Sequence, residues 1–86
     1  MRNNHKIIKK VYMVDIKIIQ DRIIETIKNS GLTQTQLAKK LNVSQSAVAH
    51  YISKDILPSL DTLAKLCIIC DVSPEYILCF DEKEKQ

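Results

Sequence analysis

The sequence predicts a small all-α domain, on three grounds. Apolar residues recur at steps of three and four along most of the chain, which is the spacing of amphipathic helices. Ser, Thr or Asp, the residues that favour helix N-caps, precede these stretches. The 86 residues include one glycine and two prolines, whereas small β-folds and glycine-rich phosphate loops need repeated turns with positive φ.

The first helix is predicted to begin after Asp15, which suits the N-cap, and to end at Ser30-Gly31. Gly31 is free to adopt the left-handed conformation that often follows the last turn of a helix. The predicted apolar stripe consists of Ile16, Ile19, Ile23 and Ile27.

Two short helices are predicted next. Thr33 and Gln36 have the spacing of a capping box at the start of the second helix, which runs to about Leu41. Asn42 tolerates the left-handed conformation, and Ser44 caps a third helix that extends to about residue 52. The inner faces consist of Leu37, Ala38 and Leu41 in the second helix and of Ala47, Val48 and Tyr51 in the third.

A fourth and a fifth helix complete the prediction. Ser59 caps the fourth, and Ser73-Pro74 places an N-cap before a proline at the first position of the short fifth helix. The apolar residues of these helices are Leu60, Leu63, Ala64, Leu66, Cys67, Cys70, Ile77 and Leu78.

The charge distribution divides the chain into three segments. Residues 1–14 carry four basic and no acidic side chains, residues 15–80 carry seven of each, and residues 81–86 have a net charge of −1. We therefore expect a basic and apolar N-terminal arm at 1–14, a domain at 15–80 and a charged tail at 81–86. The arm fits a strand, a helix or a disordered segment equally well.

Size and composition favour a binding module in the cytoplasm. A chain of this length buries only about 60% of its unfolded surface, which leaves little for an elaborate catalytic cleft. No apolar run approaches the roughly 20 residues that cross a bilayer, and Lys9 and Lys10 interrupt any signal-peptide core. We expect no membrane association and no export.

The segment TQTQLAKKLNVSQSAVAHYIS (33–53) resembles the helix-turn-helix of the lambda-type repressor and Cro family, also called the XRE family. PSLDTLAKLCIICDVSPEYIL (58–78) is similar to that family's fourth and fifth helices. The resemblance implies a compact five-helix lambda-repressor-like domain. It also implies sequence-specific binding of double-stranded DNA by a dimeric transcriptional repressor or regulator, with helix 44–52 in the major groove.

The resemblance assigns the DNA-contacting positions. They are Gln34, Ser44, Gln45, Ser46, Ala49 and His50. Gln45 is expected to pair with adenine, His50 to donate to a base edge or phosphate, and Gln34 to grip a backbone phosphate. Further phosphate contacts are expected from Lys39, Lys40 and Lys54.

Four residues depart from the family pattern. Asn42 stands where the turn usually has glycine, Ser53-Lys54 replaces a common Asn-Gly, and Ile52 replaces a polar residue. The exit of the third helix is therefore expected to differ, and its corner to be unusually apolar.

A dimer interface is expected at Ile56, Leu57, Ile68 and Ile69, the apolar residues outside the predicted core stripes. The alternative is that these residues cover the core or contact the arm. A second functional hypothesis is a protein-interaction module of the same fold, such as an antitoxin or antirepressor-type partner. The near-neutral central domain, the apolar corner at 52–57 and the N-terminal arm favour it.

No cofactor, metal or catalytic site is expected. Cys67 and Cys70 form a C-x-x-C, but zinc needs about four ligands and the sequence offers no second pair at useful spacing. The two thiols lie on the core stripe of the fourth helix, so packing is the better interpretation. Asp21 and Glu25, near Arg22 and Lys28, are expected on a solvated helix face, and the chain is expected not to be an enzyme.

Overall fold

The computed structural model of the protein describes residues 14–80, which form five helices. In chain order these are α1 (Ile16–Asn29), α2 (Gln34–Leu41), α3 (Gln45–Ile52), α4 (Leu60–Cys70) and α5 (Pro74–Ile77). No strand occurs between residues 14 and 80, so the all-α prediction is confirmed. Apart from Val14, the expected arm lies outside the described residues, as does the expected tail.

The predicted N-caps set the starts of the first three helices. The Asp15 carboxylate accepts hydrogen bonds from the backbone N–H groups of Lys17 and Ile18, at 3.0 and 3.3 Å. Thr33 and Gln36 form the reciprocal capping box, with bonds of 2.9 and 3.1 Å. These bonds satisfy N–H groups that have no partner inside the helix.

The start of α4 differs in one detail from its prediction. Ser59 occupies the N-cap position, but its hydroxyl makes no capping bond to the backbone. It donates instead to the Asp61 carboxylate and lies 3.0 Å from the Thr62 hydroxyl. The Ser59 hydroxyl thereby lowers the pKa of the Asp61 carboxyl.

The ends of α2, α3 and α4 share a turn through a left-handed residue that is not glycine. Asn42, Lys54 and Asp71 have φ values of 60°, 69° and 54° and follow α2, α3 and α4. In each case the next residue donates its N–H to a carbonyl five residues earlier, at 3.0 Å, as in a Schellman motif. The left-handed conformation costs most at Lys54, because Asn and Asp tolerate it better.

The core lies where the apolar faces of the helices meet. Leu37, Val48 and Ile77 are fully enclosed, and Ala38 is 4% exposed. The other buried members are Ile19, Ile23, Ile27, Leu41, Tyr51, Leu66, Cys67 and Cys79. The predicted inner faces of the second and third helices are thus confirmed, with Ala47 and Val43 half-buried against this core.

Three residues of the predicted apolar stripes lie on the surface. Ile16 is 46% exposed, Leu60 is 86% exposed, and Ala64 is exposed as well. Ile16 and Leu60 are each the first residue of a helix. Helical periodicity identifies the face on which such a residue lies, but it does not show whether the packed core extends to the end of the helix.

Asp21, Glu25 and Lys28 are exposed, as expected for a solvated face of α1, and Arg22 is half-buried. The same face also makes contacts that the sequence does not indicate. Arg22 Nη1 donates to the Tyr76 carbonyl oxygen at 2.6 Å, and its guanidinium lies 4.3 Å from the centroid of the Tyr76 ring. The Tyr76 hydroxyl donates to Glu25 at 2.7 Å, and Asp21 pairs with Lys54 at 2.7 Å. These contacts attach α5 and the exit of α3 to α1.

The cysteines contribute to packing, as predicted. Cys67 and Cys79 are buried, Cys70 is half-buried, and all three are free thiols. Burial raises the pKa of the Cys67 and Cys70 thiols, and the neighbouring Cys67 raises that of Cys70 further. Among residues 14–80 no group of three or more His, Cys, Asp or Glu side chains is placed to hold a metal ion. None of the helices in this range has both the length and the apolar character needed to span a bilayer.

Candidate nucleic-acid interface

The turn between α2 and α3 occupies residues 42–44 and fixes the relative placement of the two helices. Asn42 is left-handed, with φ 60° and ψ 46°, and Ser44 returns to extended backbone as the N-cap of α3. The Val43 N–H donates to the Ala38 carbonyl at 3.0 Å, while the Ser44 hydroxyl accepts from the Ala47 N–H at the same distance. Together with the buried Leu37 and Val48, these bonds position α3 against α2.

The opposite side of this unit is open to solvent. We call it the outer edge, and it consists of the six residues predicted to contact DNA, namely Gln34, Ser44, Gln45, Ser46, Ala49 and His50. All six are exposed, whereas Val48 and Tyr51 are buried on the other face of α3. The structure therefore places Ser44, Gln45, Ser46, Ala49 and His50 on the exposed side of α3, with Gln34 at the first position of α2.

The outer edge presents mainly groups that form hydrogen bonds. Its members are amides, hydroxyls, one methyl and one imidazole, and none of the six is acidic. Gln45 is the first residue of α3, and its side chain is exposed. The small side chains of Ser46 and Ala49 leave room for a surface to approach the helix backbone closely.

The imidazole of His50 has a partner that the sequence did not indicate. His50 Nδ1 lies 3.0 Å from Asp55 Oδ2, and the Ser53 hydroxyl donates to the same oxygen at 2.9 Å. The hydrogen bonds from His50 and from Ser53 lower the pKa of the Asp55 carboxyl. A spacing of five residues across a helix end has no sequence signature of its own, which is why Asp55 was missed.

The three lysines expected at phosphates are in different situations. Lys39 and Lys40 are exposed in the last turn of α2. Lys54 forms the ion pair with Asp21, and its backbone carbonyl accepts a hydrogen bond from Gln20 Nε2 at 3.3 Å. A phosphate contact by Lys54 would therefore share its ammonium group with the Asp21 carboxylate.

The apolar residues expected at an interface are not equally exposed. Ile56 and Leu57 are 47% and 44% exposed and Ile68 is 80% exposed, whereas Ile69 is half-buried against the core. Ile68 also borders a groove of about 380 Å³ on α4. This α4 groove is lined by Leu60, Leu63, Ala64, Cys67, Ile68, Val72 and Pro74. The sequence did not reveal it, because Leu60 was assigned to the inner face.

Comparison with known families supports the likeness inferred from the sequence. A family model described as helix-turn-helix matches residues 23–77, which begin within α1 and end with α5.

Two curated proteins are similar to this chain. One is the HTH-type transcriptional regulator ImmR of Bacillus subtilis (strain 168), 35% identical over 65 residues that cover 76% of this chain and 51% of the regulator. The other is the type II methyltransferase M.Sau96I of Staphylococcus aureus, 31% identical over 70 residues that cover 80% of this chain and 16% of that enzyme. The chain thus spans about half the length of the first relative and far less of the second. No solved structure matches.

Proposed function

The chain belongs to the helix-turn-helix family, and we propose that it binds double-stranded DNA sequence-specifically as a transcriptional regulator. The observation that carries this proposal is the division of α3 into a buried inner face and an exposed outer edge. Similarity to a protein described as a transcriptional regulator agrees with it.

In this mechanism α3 lies in the major groove. The groove is about 12 Å wide, and an α-helix with its side chains is about 10–12 Å in diameter, so α3 fits within it. Gln45 makes a bidentate pair with adenine N6 and N7, Ala49 contacts a thymine methyl, and Ser46 contacts a base or phosphate. Each bidentate pair discriminates against wrong bases by about 1–3 kcal/mol.

Backbone contacts hold the domain in register. Gln34 and the free N–H groups at the start of α2 bind a phosphate, since a helix N-terminus favours an anion. Lys39 and Lys40 bind flanking phosphates. The four positive charges of residues 1–14 add attraction that does not depend on sequence, and their full engagement steepens the salt slope by about 3–4 units.

The regulator acts as a homodimer and represses by occupying its operator. Helix-turn-helix dimers read half-sites about 34 Å apart, so the two copies must be joined away from α3. We place the interface at Ile56, Leu57, Ile68 and Ile69, with the exposed Leu60 added by the structure. Substitution of Ile68 by Ser should lower the dimer fraction in sedimentation, while Lys65→Ser on the same helix should not.

The protein is proposed to be a cytoplasmic binding protein without catalytic activity. The similarity to the methyltransferase covers 16% of that enzyme. No cofactor enters the proposed mechanism.

The test is a binding assay with Gln45→Ala, against an operator selected from a genomic library. The variant should lose about 1–3 kcal/mol of binding free energy, confined to one base position. The matched control is Asn29→Ala at the last residue of α1, which removes an exposed amide outside the outer edge and should leave affinity unchanged. Unaltered affinity and specificity in Gln45→Ala would remove Gln45 from base readout, and failure of the wild-type chain to bind any duplex would overturn the function.

A second candidate is a protein-interaction module of the same fold, of the antitoxin or antirepressor type. The α4 groove favours it, since a domain this small exposes Leu60 and Ile68 on one apolar surface. Residues 15–80 also have no net basic charge. Binding to bulk duplex DNA at about 50 mM salt separates the candidates, because non-specific DNA binding is strong at low salt. Absence of binding there would favour the second.

A further inference from the structure

We propose that Asp55 is a specificity-determining residue, which holds His50 as the Nδ1–H tautomer so that Nε2 presents a hydrogen-bond acceptor to DNA. The inference rests on the proposed function, since His50 reads a base only if α3 enters the major groove. It changes the role of His50 from the donor expected from the sequence to an acceptor.

The hydrogen-bond geometry fixes the direction of proton donation. Asp55 Oδ2 lies 3.0 Å from His50 Nδ1 and 2.9 Å from the Ser53 hydroxyl. An ionised carboxylate can only accept hydrogen bonds, so both partners must donate to it. In a neutral imidazole this places the single proton on Nδ1.

The backbone holds the carboxylate in place. The Asp55 N–H donates to the His50 carbonyl at 3.0 Å, and the Lys54 N–H donates to the Tyr51 carbonyl at 3.3 Å. The left-handed Lys54 between them turns the chain back toward α3. Asp55 is thus hydrogen-bonded to His50 through both the backbone and the side chain. The backbone turn that ends α3 therefore also positions the carboxylate beside the imidazole.

The consequence for base recognition follows from the groove chemistry. Adenine N6 and cytosine N4 present donors in the major groove, whereas guanine O6 and N7 and thymine O4 present acceptors. A lone pair on His50 Nε2 therefore accepts from adenine or cytosine and is repelled by guanine, thymine O4 and phosphate oxygens. Asp55 contacts no base in this scheme and acts only through His50.

The first experiment reads the tautomer directly. Long-range ¹H–¹⁵N NMR spectra distinguish the Nδ1–H from the Nε2–H form of His50. They are recorded on the ¹⁵N-labelled full chain at a pH where the imidazole is neutral. The wild-type chain should show Nδ1–H, and Asp55→Ala should shift the population toward Nε2–H. Asp61→Ala, which removes a carboxylate from the start of α4, is the matched control and should leave the tautomer unchanged. Predominant Nε2–H in the wild type, or no change in Asp55→Ala, would overturn the proposal.

The second experiment reads base preference. Selection from a randomised duplex library should identify one position whose preference disappears in His50→Ala, and the wild-type chain should prefer adenine or cytosine there. In Asp55→Ala this preference should shift toward guanine or thymine by about 5- to 150-fold, the equivalent of one good base contact. If the wild-type chain binds duplex DNA and Asp55→Ala keeps the same base preference, the role of Asp55 is overturned but the proposed function stands. Absence of all duplex binding overturns the proposed function and, with it, the readout by His50.

Discussion

The two sides of the α2–α3 unit come from the same sixteen helical residues but obey different constraints. On the inner side Leu37 and Val48 are fully enclosed and Ala38 is 4% exposed. On the outer edge Gln45, Ser46 and Ala49 are exposed, and no part of residues 14–80 covers them. Stability is therefore concentrated on one side and the proposed DNA contacts on the other, so substitutions should separate the two properties.

The largest effect is expected from Leu37→Ala. This change leaves a cavity at a fully buried position and should lower the free energy of unfolding by about 2–5 kcal/mol. Urea denaturation followed by circular dichroism measures it. Lys40→Ala on the exposed side of α2 is the control and should remain within about 0.5 kcal/mol of the wild type. A similar loss in both variants would contradict the division into two sides.

A matched pair of substitutions tests the division more sharply. Ala38→Leu inserts a larger side chain into the packed contact between α2 and α3 and should cost about 1–3 kcal/mol of stability. Ala49→Leu makes the same change on the outer edge, where the extra atoms meet solvent.

The two variants should therefore differ in which property they lose: Ala38→Leu should lose thermal stability, and Ala49→Leu should lose DNA affinity. Ala49→Leu should keep the wild-type melting temperature and lose operator affinity, because its side chain obstructs the approach of α3 to the groove. If Ala49→Leu unfolds as readily as Ala38→Leu, the outer edge has a packing role that its exposure does not reveal.

The sequence predicted the inner side better than the connections between helices. Repeats at three and four residues identified Leu37, Leu41 and Val48 because burial on a helix has a fixed period. Capping residues such as Asp15 and Thr33 were found for a similar reason, since a cap bonds to the backbone two or three residues away.

Contacts between distant residues have no such period. Arg22 meets Tyr76 across 54 positions, and Asp21 meets Lys54 only because the exit of α3 passes α1. The same holds for the candidate site: the outer edge follows from its motif, while Asp55 depends on the left-handed turn at Lys54. The exposure of Leu60 also escaped prediction, because it depends on where the neighbouring helices end.

The end of α3 provides a smaller test at the boundary between the two sides. Lys54 has φ 69°, a conformation that costs a residue with a Cβ about 1–2 kcal/mol. Lys54→Gly and Lys54→Ala both remove the ion pair with Asp21, so their difference isolates the backbone. Lys54→Gly should be the more stable by about 1 kcal/mol in urea denaturation. Equal stability would indicate that the turn relaxes when alanine is present, and the position of Asp55 should then change as well.

The smallest effect is expected for the pH dependence of stability that arises from the Asp55 carboxyl. Hydrogen bonds from His50 and Ser53 hold the pKa of this carboxyl below its ordinary value of 3.8, so the unfolded chain takes up the proton first as pH falls. The stabilisation by the carboxylate is therefore present above the unfolded pKa and is lost as pH falls through the folded one. Asp55→Asn should be slightly less stable than the wild type at neutral pH and should converge with it in acid. Asp61→Asn should show the same sign, because the Ser59 hydroxyl lowers the pKa of Asp61, but it should leave DNA binding unaltered. A stability difference for Asp55→Asn that stays constant from neutral to acid pH would mean that the bonds at the end of α3 do not favour the ionised carboxylate, and the acceptor role of His50 Nε2 would lose its basis.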